Sequence, residues 1–285
     1  MKRPLLSVLM TAFNRQKYIG EAIESVLASS VTDFELLIVD DHSTDATVSI
    51  ARKYERLDER VRVSVNPKNL GDYPNRNMAS SKAVGEYMMF VDSDDTVLPD
   101  GIRKCVEAIS AFPHSNFGMY YEDKAAQPFC LTPEEAIRTH FFKKPFLNMG
   151  PGGTIIRRSF FEKIGKYPVE FGPASDNYFN LKAACQSPIV MLPFEFMNYR
   201  IHAGQEINNK FAYLFGNYNY MEEALTALPL PLTKKEKEWL SKKNKRRFFV
   251  NLLKHLRKTR NFSSTREALN RTNYSFRDAL QGVFH

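Results

Sequence analysis

Between Leu5 and Val91 the hydrophobic pattern switches repeatedly between two periods, and this alternation restricts the fold more than any other feature of the chain. Leu5–Met10 is a short apolar run with the length of a buried strand. From Tyr18 to Leu27, Ile19, Ala22, Ile23, Val26 and Leu27 recur at i, i+3, i+4, i+7 and i+8, the stripe of an amphipathic helix. Leu36–Val39 reads as a second buried strand, followed by a helix from about Asp45 to Tyr54. Val61, Val63 and Val65 alternate with polar residues as in a half-exposed strand. A helix around Asn77–Val84 and a strand Tyr87–Val91 complete the series. Repeated strand–helix–strand units predict an α/β fold, with a mainly parallel sheet flanked by helices in a Rossmann-like half.

Open sheets of that kind bind ligands at the carboxyl ends of their strands. Acidic residues fall there: Asp40 and Asp41 end the second strand, and Asp92-Ser93-Asp94-Asp95 ends the fourth. Asp and Asn also cap helices and open turns, and Asp100 before Gly101 reads as such a cap. Two acidic groups on separate strands of one sheet can instead grip a hard cation, Mg²⁺ or Mn²⁺, which takes oxygen ligands and shares them with phosphates. The first strand runs into Thr11-Ala12-Phe13-Asn14 without a G-x-G-x-x-G turn, which argues against a dinucleotide oxidoreductase. The same lack of a glycine-rich phosphate loop argues against a nucleotidyltransferase.

Beyond Ala111 the pattern loosens, with glycines and proline at Gly150–Gly153 and a helix expected from Asn177 to Gln186. Pro229 and Pro231 mark a linker, and Thr233 with Glu236 forms a capping box that opens a basic helical region. Lys234–Arg260 carries twelve Lys/Arg and two Glu, 12 − 2 = +10, so the remainder of a chain of net charge +8 is 8 − 10 = −2. Phe248, Phe249, Leu252, Leu253 and Leu256 form a stripe among those charges. Such a helix either lies on an anionic membrane surface or packs its stripe on the rest of the protein. Nucleic acid ranks last, because no binding motif accompanies the charge. Cys105, Cys130 and Cys185 fit neither a zinc pattern nor a disulfide framework. No stretch approaches the ~18–20 apolar residues that cross a bilayer. The expected location is therefore cytoplasmic, peripheral on the inner face of the cell membrane if the basic segment binds lipid.

Five strings occur in order: Ser7-Val8-Leu9-Met10-Thr11-Ala12-Phe13-Asn14; Val39-Asp40-Asp41-His42-Ser43-Thr44-Asp45; Asn69-Leu70-Gly71 with Arg76-Asn77; Gly85-Glu86-Tyr87; and Val91-Asp92-Ser93-Asp94-Asp95. Together they resemble the family 2 inverting glycosyltransferases of the GT-A fold. The resemblance is strong over Leu5–Asp100, fair from about Gly150 to His202, and absent from the C-terminal region. It implies a hexosyltransferase-type enzyme of bacterial surface-glycan assembly, dependent on Mn²⁺ or Mg²⁺, with a UDP-sugar as favoured donor and a glycan or lipid-linked acceptor. Carried over by position, Thr11 would lie beside base and ribose, and Asp41 would accept a hydrogen bond from the nucleobase. Arg76 would lie near the nucleotide, Asp92 would contact the ribose, and Asp94 would hold the metal. Asp176, after Ser175 where the family carries Glu, would be the catalytic base; N-capping of the following helix is its alternative role. In Tyr199-Arg200-Ile201-His202, His202 would approach the metal or diphosphate.

The implied organisation is a nucleotide-sugar-binding half over 1–110, an acceptor-binding half over 111–215 and a basic helical region over 216–285. The rival from another class is a non-catalytic nucleotide- or glycan-binding module of the same fold. The presence of both Asp94 and Asp176 favours the enzyme.

Overall fold

The computed structural model describes residues 3–123, 125, 127–202, 204–205 and 209–283. Its first half is the predicted series: β1 (Leu6–Ala12), α1 (Ile19–Leu27), β2 (Phe34–Asp40), α2 (Thr47–Leu57), β3 (Val61–Val65), α3 (Asp72–Lys82) and β4 (Tyr87–Phe90). Then come β5 (Thr96–Val97), α4 (Gly101–Ser110), β6 (Phe117–Tyr120), β7 (Phe129–Leu131), α5 (Pro133–Phe142), β8 (Thr154–Arg157) and α6 (Arg158–Lys163). The chain closes with α7 (Ser175–Ala184), β9 (Ile189–Leu192), β10 (Met197–Asn198), α8 (Lys210–Ala227), α9 (Lys234–Thr259), α10 (Phe262–Thr272) and α11 (Phe276–Val283).

Eight strands form one sheet in the order β3-β2-β1-β4-β8-β6-β9-β7, and β5 and β10 form a separate antiparallel ribbon. Strands β1 to β4 are all parallel, as predicted. From β8 onward the sheet is mixed: β8 runs antiparallel to β4 and β6, β9 is parallel to β6, and β7 is antiparallel to β9. The central strands are apolar at nearly every position because both sheet faces are covered. Val8, Met10, Leu36 and Ile38 point into one core with Ile19, Ala22, Ile23 and Val26 of α1 and Ile102 of α4. Their neighbours Leu9, Leu37, Val39, Met88 and Phe90 point into the other, with Tyr73 of α3, Phe179 of α7 and Tyr220 of α8. Period-two alternation thus divides each strand between two helical layers.

Three local expectations are corrected. Helix α3 begins at Asp72 rather than near Asn77, because Pro74 falls in its first turn, where the missing N–H costs no hydrogen bond. Asp100 occupies the cap position of α4, but with φ 60° and no side-chain cap bond; its Oδ1 accepts instead from Ser30 and Arg103. The five-residue stripe of α9 is divided between faces. Phe248 and Leu252 pack against Tyr218, Ala268 and Tyr274, whereas Leu253 is 49% exposed. Their spacing puts Phe248 and Leu252 four residues apart on one side, and Leu253 about 100° away.

The capping box at Thr233 forms, with Thr233 Oγ1 accepting from the Glu236 N–H and Glu236 Oε2 accepting from the Thr233 N–H. Helix α8 runs across residue 215, and its Tyr220, Ala224 and Leu225 belong to the main core. Among the described residues no helix is long and apolar enough to cross a membrane.

Candidate functional site

A cleft of about 1210 Å³ opens where β1 and β4 end. Thr11, near the end of β1, lines it, and its carbonyl accepts a 2.8 Å bond from the Ser93 hydroxyl. That bond ties the segment after β4 to β1. A turn closed by Asp95 N–H donating to Asp92 O then presents Asp92, Asp94 and Asp95 along one wall.

Asp94 Oδ2 is the meeting point of two basic side chains. Arg15 Nε donates to it at 2.9 Å, and His202 Nε2 lies 2.8 Å away. Burial would raise the Asp94 pKa, but the His202 hydrogen bond and the Arg15 charge outweigh it, and the carboxyl stays below its ordinary value. The His202 ring stacks on Tyr18 with centroids 4.7 Å apart. Its Nδ1 accepts from the Gly204 N–H at 3.2 Å, so in the neutral ring the proton resides on Nε2, facing Asp94. Arg15 also donates to the carbonyls of Phe13, Asn14 and Gly204, which fixes the guanidinium over the carboxylate.

Arg200 fastens the segment bearing His202. Its guanidinium donates to the carbonyls of Asp94, Asp95 and Tyr18 and pairs with Glu21, and its backbone N–H reaches Asp95 Oδ1 at 3.0 Å. Neither Arg15 nor Arg200 could be found from hydrophobic period or spacing, since each acts across a long sequence separation.

The early start of α3 puts Arg76 on that helix's buried face, where it is only 7% exposed. It bonds Asp72 Oδ1 at 2.7 Å and forms an ion pair with Asp92 Oδ1, also at 2.7 Å, at an angle outside that of a hydrogen bond. Burial opposes its charge, but Asp72 and Asp92 more than compensate and raise its pKa further. Arg76 is therefore a buried counter-charge rather than a solvated helix residue.

Asp41 does not line the cleft. Its Oδ1 accepts from Asn66 Nδ2 at 2.8 Å and Leu70 N–H at 2.9 Å, and its Oδ2 from Gly71 N–H at 2.8 Å. The carboxylate is 3% exposed and braces the Asn66–Gly71 loop, whose Asn69 and Gly71 do line the cleft.

Asp176 faces the cleft from another element, the first turn of α7. Ala174, not Asp176, holds the cap position. Burial pushes the Asp176 pKa up to about 7, against the lowering effect of hydrogen bonds from the Asn177 N–H and Tyr73. Ser175 is fully buried, with its hydroxyl donating to the Gly172 carbonyl. Nearby, His140 accepts from the Phe146 and Leu147 N–H groups through Nδ1, and burial lowers its pKa to about 4. It remains neutral and shapes the loop that brings Asn148 and Met149 to the cleft.

Thr11, Arg76, Asp92, Asp94 and Asp176 thus share one cleft, His202 joins them through Asp94, and Asp41 stands behind the wall. Among the described residues no three His, Cys, Asp or Glu side chains converge as a protein-only metal cage. Asp94 and His202, with ligand-type atoms 2.8 Å apart beside the cleft, fit a different arrangement, in which a divalent cation takes one or two protein ligands and fills its shell from substrate phosphates and water.

The sequence pattern of the family described as "Glycosyl transferase family 2" matches residues 7–165. The putative teichuronic acid biosynthesis glycosyltransferase TuaG of Bacillus subtilis (strain 168) is 37% identical over 146 residues, 48% of this chain and 58% of its own. The chain spans about half the length of the curated relatives it matches. Among solved structures, S. aureus TarS 1-349 in complex with UDP-GlcNAc is similar with a TM-score of 0.73 and 21% identity, covering 98% of this chain and 81% of that one. The mannosyltransferase PcManGT of Pyrobaculum calidifontis, in complex with GDP-Man and Mn²⁺, has a TM-score of 0.63 and 14% identity, covering 100% of this chain and 88% of that one. These structures share the fold of this chain.

Proposed function

The chain belongs to glycosyl transferase family 2, and from that premise we propose that it moves a sugar from a nucleoside-diphosphate donor to an acceptor hydroxyl with inversion, aided by a divalent cation. One observation carries the reading: a single cleft holds an acidic wall, Asp92 and Asp94, and a separate buried carboxyl, Asp176, whose pKa of about 7 suits proton abstraction near neutrality.

Displacement at the anomeric carbon builds positive charge on the sugar ring and negative charge on the departing diphosphate. Held by Asp94 and His202, Mn²⁺ or Mg²⁺ would neutralise the leaving group and so replace the general acid that glycosidases need. Asp92 and Thr11 orient the ribose and base, with Arg76 holding Asp92 in place. Asp41 acts on the base indirectly in this geometry, through the Asn66–Gly71 loop it braces. Asp176 takes the proton from the acceptor hydroxyl as that oxygen attacks. Attack on the face opposite the nucleotide inverts the anomeric centre.

A UDP-sugar is the favoured donor, in keeping with the UDP-GlcNAc held by the similar TarS. The acceptor class is a bacterial surface glycan or its lipid-linked precursor, consistent with the teichuronic acid assignment of the similar TuaG. Attachment to anionic membrane through α9 belongs to the same reading. The test is nucleotide release from a panel of UDP- and GDP-sugars, with Mn²⁺ and with chelator. Metal-dependent release from at least one donor is expected, and its absence across the panel sinks the proposal.

A further inference from the structure

We propose that Arg15 is a charge latch that closes the cation site until a diphosphate arrives, so that cation and donor bind as a coupled pair. The inference rests on the reading that Asp94 and His202 hold the cation. Asp94 Oδ2 and His202 Nε2 are both engaged within the protein. Asp94 Oδ2 accepts from Arg15 Nε at 2.9 Å and lies 2.8 Å from His202 Nε2. Because Gly204 N–H donates to Nδ1, Nε2 carries the ring proton and has no lone pair to offer.

Arg15 Nε lies directly on Asp94 Oδ2, so the side chain must move before a cation can take that oxygen. Two cations cannot share one carboxylate oxygen without strong repulsion at this range. The movement has a defined consequence, because Arg15 Nη2 also donates to the Gly204 carbonyl at 3.1 Å. Releasing Arg15 removes one tie on Gly204, whose N–H fixes the His202 tautomer, while Gln205 stays bonded to the His202 N–H and the Arg200 carbonyl. One side chain therefore bears on both cation ligands, directly on Asp94 and through Gly204 on His202.

A diphosphate supplies the alternative partner. Arg15 lines the same cleft as Asp92 and Asp94, and its planar fork pairs with phosphate oxygens as readily as with a carboxylate. Asp94 Oδ2 then becomes available as the phosphates enter, and Arg15 passes from a block to a donor contact.

The measurement is Mn²⁺ affinity, read from the signal of free Mn²⁺, with and without UDP. Wild-type protein should bind Mn²⁺ weakly alone and markedly better with UDP. Arg15→Ala should bind Mn²⁺ alone more tightly than wild type, by roughly 5–150-fold, the usual range of coupling between two sites, and should lose most of the enhancement by UDP. Arg15→Lys, which keeps the charge, should restore weak binding of Mn²⁺ alone. If Arg15 merely positioned Asp94, Arg15→Ala would weaken Mn²⁺ binding; that sign, or no change, overturns the latch. Wild-type protein that binds no Mn²⁺ even with UDP would instead overturn the cation reading on which the latch stands. Circular dichroism of each variant establishes that it is folded, and Arg15→Gln serves if the alanine variant is not.

Discussion

At the scale of single residues, Asp176 and Asp94 carry opposite electrostatic signatures in one cleft. Asp176 is buried and pushed up to about 7, whereas Asp94 is held low by His202 and Arg15 despite its burial. Asp176→Asn should leave nucleotide affinity nearly unchanged while transfer to the true acceptor falls by ~10²–10⁴, measured by steady-state kinetics. Transfer by wild type should rise with pH through about 7 as the carboxyl ionises. The same raised pKa has the reverse effect on stability. The folded state binds the Asp176 proton more tightly than the unfolded chain, so this group's contribution is fully present below pH 3.8 and is lost as pH rises through about 7. The rise corresponds to about 4 kcal/mol at most. Asp176→Asn should therefore raise Tm more at pH 8 than at pH 5. Equal shifts at both pH values would show that Asp176 ionises freely in the folded protein. Asp94→Asn should retain the fold but lose Mn²⁺-dependent nucleotide affinity in calorimetry, and unchanged affinity would remove Asp94 from the cation site.

At the scale of elements, the site depends on how the β5–β10 ribbon meets α4. A Cβ at Gly101 would overlap the Phe196 carbonyl oxygen, which already accepts from the Leu98 N–H. Only glycine lets the start of α4 approach the strand that leads to Arg200 and His202. Gly101→Ala should cost about 1–3 kcal/mol, the usual range for overpacking, measured by urea denaturation. It should also weaken nucleotide binding, because β10 must shift and carry His202 with it. A variant with wild-type stability would mean that the ribbon adjusts freely. Element boundaries also set what was legible. Period alone marks β1, α1, β2 and β3, whose apolar residues have one burial requirement each. It does not mark the first turn of α3, where Asp72, Pro74 and Asn75 provide no apolar stripe, and so the burial of Arg76 was invisible.

For the molecule as a whole, the basic C-terminal region is packed onto the rest rather than tethered to it. Phe248 and Leu252 face Tyr218 of α8, and α8 contributes Tyr220 and Leu225 to the main core. Truncation near Pro231 would expose that surface, so charge reversal is the cleaner test. On the outer side of α9, Lys243, Arg247, Lys254 and Arg257 recur at helical spacing with Trp239 and Val250, all exposed. None of the four forms an ion pair among the described residues. The protein should co-sediment with anionic vesicles at low salt and less at high salt, since a Debye length of about 10 Å at 0.1 M screens such attraction. Replacing those four residues by Glu should abolish sedimentation while nucleotide release from a soluble donor persists, as α9 does not line the cleft. If the unmodified protein ignores anionic vesicles at low salt, the attachment is wrong.

Much of the architecture was written locally. Alternating periods determined the parallel half-sheet and its helical layers, because each apolar face has to be buried whatever lies opposite. The motif strings determined the family, and with it the roles expected of Asp92, Asp94 and Asp176. Tertiary structure decided what those side chains touch. Asp94 meets His202 across 108 residues of sequence and Arg15 across 79, and no periodic signal spans such separations. It also assigned Asp41 to a loop brace and divided the α9 stripe between an inner and an outer face. The physical reason is the same in each case: a hydrophobic period records how one element meets its surroundings on average, whereas a polar contact depends on a particular partner delivered by the packing of other elements.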